Sequence, residues 1–141
     1  MAGMRALGLA LALTLFGCGG ESSRLVTVRS GSGSGPIDFA VKNATDVAIN
    51  SLFMAKSELI EAHDPDRLDP SSPEGLQVWG GDLLHAAIPV GERVPIEVKE
   101  PGRWDVRATD RDDREQHVAG LKLQAGGRYI LELHDGGWRV R

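Results

Sequence analysis

Short stretches in which apolar residues alternate with polar ones recur along the chain from residue 37 onward. The clearest is Trp104–Thr109, which has Trp104, Val106 and Ala108 on one side and charged or hydroxyl residues on the other. A period of two residues is typical of a strand with one buried face. The pattern therefore predicts strands at 37–42, 47–55, 94–98, 104–109, 116–123, 129–133 and 138–140.

Turn-forming residues separate these segments, as at Asn43–Asp46, Pro101–Gly102 and Asp135–Gly137. No stretch shows a sustained helical period, although Ser57–Ala62 is compatible with a helical turn or with the end of a strand. Many short strands at intervals of about 8–12 residues are typical of a β-sandwich. The sequence therefore predicts an all-β fold, an antiparallel two-sheet sandwich of the immunoglobulin or transthyretin kind with seven or eight short strands.

The region before residue 36 combines one strand-like stretch with two segments of linker composition. Leu25–Arg29 is short and rich in β-branched residues, which indicates either a first strand or an extended part of a tether. Gly19–Ser23 and the alternating serines and glycines of Ser30–Gly35 have the composition of a flexible linker. We therefore predict a tether over residues 18–35, including a candidate strand at 25–29, and a sandwich domain over residues 36–141.

Between the predicted second and third strands lies the least regular part of the chain. Residues 63–75 contain three prolines and four acidic residues and predict a long exposed loop. The segment Trp79–Leu84 follows, and its two glycines allow Trp79 to fold back beside Asp82. We expect the loop and this turn to present an interaction surface, with Asp82 capping the turn through its side-chain oxygens.

Composition and charge exclude several functions. The 41% of hydrophobic and 26% of charged residues are typical of a folded protein. The net charge of −4 argues against nucleic acid or anionic lipid as the main partner, because both are bound chiefly by Lys and Arg. Cys18 is the sole cysteine, so the predicted domain has no disulfide, no cysteine-ligated metal and no thiol nucleophile.

The N-terminus has the pattern of an export signal. Met1–Arg5 carries one positive charge, and Ala6–Phe16 is an apolar run interrupted only by a glycine and a threonine. This run is too short for a membrane-spanning helix, which needs about 20 apolar residues. The pattern predicts a cleaved secretory signal over residues 1–17.

The end of this signal, Leu15–Cys18, resembles the lipobox of bacterial lipoproteins. Leu15, Gly17 and Cys18 match that motif, whereas Phe16 replaces the usual small or hydroxyl residue. The resemblance implies cleavage before Cys18 and lipid on its sulfur and new amino group, and two or more chains anchor a protein stably. The resemblance also implies a place in the bacterial cell envelope. Because Gly19 stands where the retention aspartate of inner-membrane lipoproteins would lie, it implies the outer membrane where the host has two membranes.

A second resemblance covers about residues 37–133. The string Trp79-Gly80-x-Asp82-Leu83-Leu84, together with an earlier Phe-x-Val-x-Asn and a later Trp-Asp-Val-Arg, is similar to a small β-domain of uncharacterised bacterial secreted proteins and lipoproteins. That family more often has tyrosine at position 104. The resemblance implies a β-fold and no known activity.

Three aspartates in the predicted loop are candidate calcium ligands. Asp64, Asp66 and Asp69 could supply carboxylate oxygens, which hard cations prefer. Their spacing lacks the glycine and the distal glutamate of an EF-hand loop. A solvated acidic loop is the simpler interpretation, because charged runs beside proline and serine usually form soluble surface.

Catalytic motifs are not evident in the sequence. The four histidines lie on separate segments, and no serine lies in a Gly-x-Ser-x-Gly turn. Trp79, Trp104 and Trp138 could stack on a sugar or a partner, although Trp104 is predicted to face the core and Trp79 to pin the loop. Asn43-Ala44-Thr45 matches a glycosylation sequon, but a turn in which these side chains bond the backbone is simpler.

The sequence as a whole predicts a non-enzymatic, lipid-anchored envelope protein that serves as an interaction or accessory module. Its expected partners are the membrane, through lipid on Cys18, and an envelope protein, through a surface that includes Trp79, Asp82 and Trp138. The main alternative is a small-ligand or calcium binder that uses the acidic loop at 61–75. An envelope hydrolase is a third hypothesis.

Overall fold

Two four-stranded sheets pack face to face in a computed structural model that describes residues 20–64 and 68–140. In chain order the elements are β1 (Arg24–Arg29), β2 (Asp38–Ala44), β3 (Ile49–Lys56), α1 (Ser57–Glu61), α2 (Pro73–Trp79), β4 (Arg93–Pro95), β5 (Gly102–Asp110), β6 (Arg114–Leu123), β7 (Arg128–His134), a 3-10 turn (Asp135–Gly137) and β8 (Arg139–Val140). The predicted all-β two-sheet sandwich is confirmed.

The strand order is β1-β7-β2-β4 in one sheet, sheet A, and β3-β5-β6-β8 in the other, sheet B. Neighbouring strands are antiparallel except β2 and β7, which are parallel. Strand β1 pairs with β7, with Leu25 opposite Leu131. The candidate strand at 25–29 is therefore an edge strand of sheet A.

The predicted tether is wrong for the residues before and after β1. The Gly136 N–H donates to the Glu21 carbonyl at 2.8 Å, and Ser23 Oγ hydrogen-bonds the Gln116 side chain. On the other side of β1, the Gly33 N–H donates to the Ala125 carbonyl at 3.1 Å. Residues 20–35 are thus held to the sandwich by hydrogen bonds that their small, polar composition does not reveal.

The main core lies between the sheets. The inward positions of sheet A are buried residues such as Phe39, Val41 and Leu131, which pack against Leu52 and Val106 of sheet B. These positions follow the period of two read from the sequence. Apolar burial of this kind stabilises the fold by about 25 cal/mol per Å² removed from water.

The outer face of sheet B is also buried, which the alternation in β5 did not predict. Asp105, Arg107 and Thr109 were expected to face water, yet each is at most 8% exposed. They are covered because α1, α2 and the chain near Leu68 pack over this face, where a second apolar cluster includes Leu68 and Trp79. Trp104, expected in the core, is only partly buried and donates through Nε1 to the Glu100 carbonyl at 3.2 Å.

The predicted long loop at 63–75 is only partly a loop. Ser72 caps α2 by accepting the Gly75 N–H at 2.9 Å, and Pro73 occupies the first turn. Both features favour a helix start. Gly75 is required here, because a Cβ at this position would lie 1.8 Å from the Asp69 carbonyl oxygen.

In the described part of the chain, no helix is long and apolar enough to cross a membrane.

Asn43 forms the turn that the sequence suggested. It is fully buried, its Nδ2 donates to the Val47 and Ile88 carbonyls, and its Oδ1 accepts from the Thr45 N–H and hydroxyl. A side chain with these four bonds is satisfied within the fold. The sequon is therefore a structural turn in the folded protein.

The register of the strands defines two ends of the sandwich. The proximal end contains Gly20–Ser23 with the turns 45–48, 111–113 and 135–137, and the distal end contains the loops 30–36 and 124–127. Gly20 lies against Asp135 and Gly136. The described chain therefore enters the fold at the proximal end.

Candidate functional site

Trp79 is not available to a partner. It is 3% exposed at the end of α2, and its Nε1 donates to the Leu68 carbonyl at 2.7 Å. The His117 ring lies edge-on to it, with the ring centres 5.5 Å apart. The prediction that Trp79 contributes to an interaction surface is wrong, because the tryptophan attaches α2 and Leu68 to sheet B.

Asp82 caps its turn, as predicted, and also binds the edge of sheet B. Its Oδ1 accepts the Leu84 N–H and the Leu52 N–H, each at 3.0 Å. The Leu83 N–H donates to the Leu52 carbonyl, and Ile49 and Ile88 exchange two backbone bonds. The segment 82–88 thus covers the free edge of β3, a place where unpaired backbone groups invite aggregation.

We expect Asp82→Ala to lower the free energy of unfolding by about 1–2 kcal/mol, since two backbone donors lose a charged acceptor. Denaturant unfolding measures this change. Glu97→Ala is the matched control, because Glu97 is exposed on the neighbouring segment and should change stability by less than about 0.5 kcal/mol. Equal stability of both variants would contradict the edge-covering role of Asp82.

Trp138 is partly buried against the main core, and the Arg114 guanidinium lies 5.4 Å from its ring centre. Trp79 belongs to the separate cluster on the outside of sheet B. The structure therefore does not bring Trp79 and Trp138 into one surface. Trp138 keeps a partly exposed edge at the proximal end.

The calcium hypothesis involves residues that are only partly described. Asp64 is exposed, and Asp69 accepts the Ser71 N–H and hydroxyl through Oδ1 at 2.9 and 2.8 Å. Asp66 lies outside the described residues. Within residues 20–64 and 68–140, no three His, Cys, Asp or Glu side chains gather where they could hold a metal. Calcium binding through Asp64, Asp66 and Asp69 stays a prediction.

The buried carboxylate of Asp105 lies between sheet B and the helices that cover its outer face. Asp105 accepts from the Ser57 hydroxyl at 2.6 Å, from the Gly120 N–H at 3.0 Å and from His117 Nε2 at 2.7 Å. Ser57 begins α1, Asp105 lies in β5, and His117 and Gly120 lie in β6. The carboxylate therefore links one helix to two strands, a pairing that no sequence spacing suggested.

These hydrogen bonds decide the charge state of Asp105. Burial is the largest single influence and raises its pKa, but the combined bonds from Ser57, Gly120 and His117 outweigh it. The pKa of Asp105 therefore lies below its ordinary value of 3.8. The side chain is a carboxylate at neutral pH.

The Ser-Asp-His cluster lacks the geometry of an acyl-transfer site. A serine nucleophile needs a base within hydrogen-bonding reach of its hydroxyl, oriented by a third group. Here the 1% exposed Ser57 donates to the aspartate, and the histidine bonds the other carboxylate oxygen. The arrangement binds elements together and leaves Ser57 without access to a substrate.

A cavity of about 580 Å³ opens at the distal end. It is lined by loop residues 31–33 and by Gly102, Arg103, Lys122 and Gln124. Arg103 makes a two-point ion pair with Glu61, at 3.0 and 3.1 Å. The aromatic side chains proposed for stacking a small ligand do not line this cavity.

The outer face of sheet A differs from that of sheet B because the helices do not pack on it. The register places Val26, Ile130, Ala40 and Pro95 in one row across all four strands. The neighbouring row, toward the proximal end, is Arg24, Glu132, Lys42 and Arg93. An apolar row beside a mainly basic one is thus left open to solvent.

Comparison of the chain with protein-family models, with curated protein sequences and with solved structures returns no match.

Proposed function

We propose that this protein is a non-enzymatic cell-envelope protein, anchored to a bacterial membrane by lipid on Cys18, that serves as an interaction or accessory module. In a host with two membranes the anchor lies in the outer one. The protein partner is an envelope protein, and no nucleic acid is involved. The export signal and the lipobox resemblance are the sequence basis of the proposal.

One structural observation supports it most directly. Glu21, three residues after Cys18, is already bound to the sandwich, because its carbonyl accepts the Gly136 N–H at 2.8 Å. Three residues span at most about 11 Å. Lipid on Cys18 would hold the proximal end of the sandwich close to the bilayer.

The non-enzymatic part of the proposal is supported by what the polar clusters do. Asp105 is saturated by hydrogen bonds that link α1 to sheet B, and Asp82 is occupied by backbone donors of β3 and of its own turn. Asp105 is 3% exposed and offers no reactive atom to solvent. What the fold leaves open is a sheet face, which suits contact with another surface.

The test is fractionation of bacteria that express the full chain. We expect the protein in the membrane fraction, resistant to high salt and released by detergent, because two or more acyl chains give stable anchoring. The matched control carries a general secretory signal in place of residues 1–17 together with Cys18→Ala, and should be released as a soluble protein. Release of both proteins in soluble form would overturn the proposal.

A further inference from the structure

The open face of sheet A is basic on an acidic protein. Apart from Arg29, which follows the bulge of β1 and donates to the Gly126 carbonyl, the outward charged side chains on the four strands are Arg24, Lys42, Arg93 and Arg128 against Asp38 and Glu132. Their net charge is +2, whereas the whole chain carries −4. Local concentration of one charge sign on a surface attracts a partner of the other sign. The overall acidity that argued against anionic lipid thus does not describe this face.

Two of these cations are not neutralised within the described chain. Arg24 pairs with Glu132 at 3.0 Å and Arg128 pairs with Asp38 at 2.8 Å. Lys42 and Arg93 lie opposite each other on β2 and β4 and have no ion-pair partner among the described residues. An anionic group could approach this pair without displacing an existing salt bridge.

The cationic row lies on the side of the face that is nearer the chain entry. Arg24 opens β1 four residues after Gly20 and shares its row with Lys42 and Arg93. The turn side chains around Gly20 are acidic by contrast, namely Glu21, Asp46 and Asp135. An anionic surface near residue 18 would repel the acidic end and attract the basic face.

We propose that the anchored protein lies down on the membrane, with the outer face of sheet A against anionic phospholipid headgroups that contact Lys42 and Arg93. This inference rests on the lipid anchor proposed above. The apolar row of Val26, Ile130, Ala40 and Pro95 then faces the headgroup layer.

A weak attraction is sufficient for this orientation. Each basic side chain near an anionic leaflet contributes a modest, salt-dependent affinity, too small to bind a free protein tightly. Once one end is attached, the face meets the surface as an intramolecular event with a high effective concentration. Two unpaired cations beside an apolar row can therefore set the tilt of an anchored domain.

A second copy of the chain is a poorer occupant of this face. Two faces of net charge +2 would repel each other when stacked, since like charges brought together lower stability. An acidic protein segment would satisfy the same charges, but it has no link to the entry point of the chain. The membrane has that link through Cys18.

The experiment measures which side of the lipidated protein approaches the bilayer. Single cysteines at Val28→Cys and Leu76→Cys carry a fluorophore, in vesicles that contain a headgroup-attached quencher. These positions have matched exposures of 51% and 52%, but Val28 lies on the open face near the distal end and Leu76 lies on α2 over sheet B. An upright domain keeps Val28 away from the membrane, whereas a domain lying on sheet A brings it close.

With vesicles of phosphatidylcholine and 30% phosphatidylglycerol, we expect several-fold stronger quenching at Val28→Cys than at Leu76→Cys. Adding Lys42→Gln and Arg93→Gln should bring the quenching at the two probes to near equality, and high salt should do the same. Lys99→Gln with Lys122→Gln removes the same net charge elsewhere and should leave the preference intact. Equal quenching at the two probes, or equal effects of the two double variants, would overturn the proposal.

Flotation separates failure of this proposal from failure of the anchor. Lipidated protein floats with pure phosphatidylcholine vesicles, and equal probe quenching on the anionic vesicles alongside that flotation would leave the anchor intact while removing the orientation. Flotation with anionic vesicles alone, if it is lost in the Lys42→Gln, Arg93→Gln variant, would support binding of sheet A to anionic lipid. The same result would contradict the lipid anchor. Protein that floats with neither would overturn both.

Discussion

Trp79→Ala should lower the free energy of unfolding by about 4 kcal/mol, the cost of truncating a large buried aromatic residue. The indole is 3% exposed and packs with Ala55, Ile60 and Leu68, and its Nε1 is bonded to the Leu68 carbonyl. Removing it leaves a cavity under α2, and the Leu68 carbonyl keeps only its bond from Arg107 Nη1. Urea unfolding followed by circular dichroism measures the loss.

Two further variants keep this prediction testable if Trp79→Ala fails to fold. Trp79→Phe retains a ring but loses the bond to Leu68, and should cost about 1–2 kcal/mol. Leu76→Ala is the control on the same helix, because Leu76 is 52% exposed and should have little effect. A Trp79→Ala protein as stable as Leu76→Ala would show that Trp79 does not hold the helix to the sheet.

Asp105→Ala should cost about 3 kcal/mol at neutral pH, because the Ser57 hydroxyl and the Gly120 N–H lose a buried charged acceptor. His117 loses its partner as well. Asp105→Asn is the milder variant, because an amide oxygen can still accept from Ser57 and Gly120. Unfolding by denaturant at pH 7 should rank the proteins as wild type, then Asn, then Ala.

Acid should reduce the difference between the wild type and Asp105→Asn. The folded pKa of Asp105 lies below its unfolded value, so its contribution to stability is fully present above the unfolded value. It is lost as the pH falls from about 4 through the folded pKa. Subtracting the unfolding free energies of the two proteins at each pH cancels the contributions of the other carboxylates. A difference that stays constant down to pH 2 would show that the pKa of Asp105 is not lowered.

The sandwich was predictable because a strand with one buried face leaves a period of two in the sequence. Val106 and Ala108 in β5, and Tyr129, Leu131 and Leu133 in β7, show the pattern and lie in the core. The order of strands in each sheet depends on contacts between distant segments, which a local pattern does not carry. The parallel pairing of β2 with β7 is such a contact.

Helix α2 and the covering of sheet B were missed for a related reason, whereas α1 is one of the two alternatives that the sequence left open at Ser57–Ala62. A helix of seven residues, such as α2, is too short to show a 3.6-residue period, and isolated helices of this length are marginal without packing. Its stability comes from Trp79 and from a glycine that fits against Asp69. The polar residues of β5 appeared solvent-facing because their partners, Ser57 and His117, lie elsewhere in the chain.

The surroundings of the candidate surface residues also depend on contacts between distant segments. Asp82 was recognisable as a turn-capping residue from its neighbours, but its second bond, to Leu52, crosses 30 positions of the chain. The open face of sheet A consists of residues that alternate with core positions, and only the register brings Lys42 beside Arg93. Its basic character is invisible in a net charge of −4.

The measurement that tests the lipid-anchored account most directly is the intact mass of the protein extracted with detergent from bacterial membranes. The account predicts a chain that begins at Cys18 and carries the added mass of a diacylglyceryl group and an amide-linked acyl chain, confirmed on the N-terminal peptide. A chain of unmodified mass, or one cleaved at another residue, would contradict it.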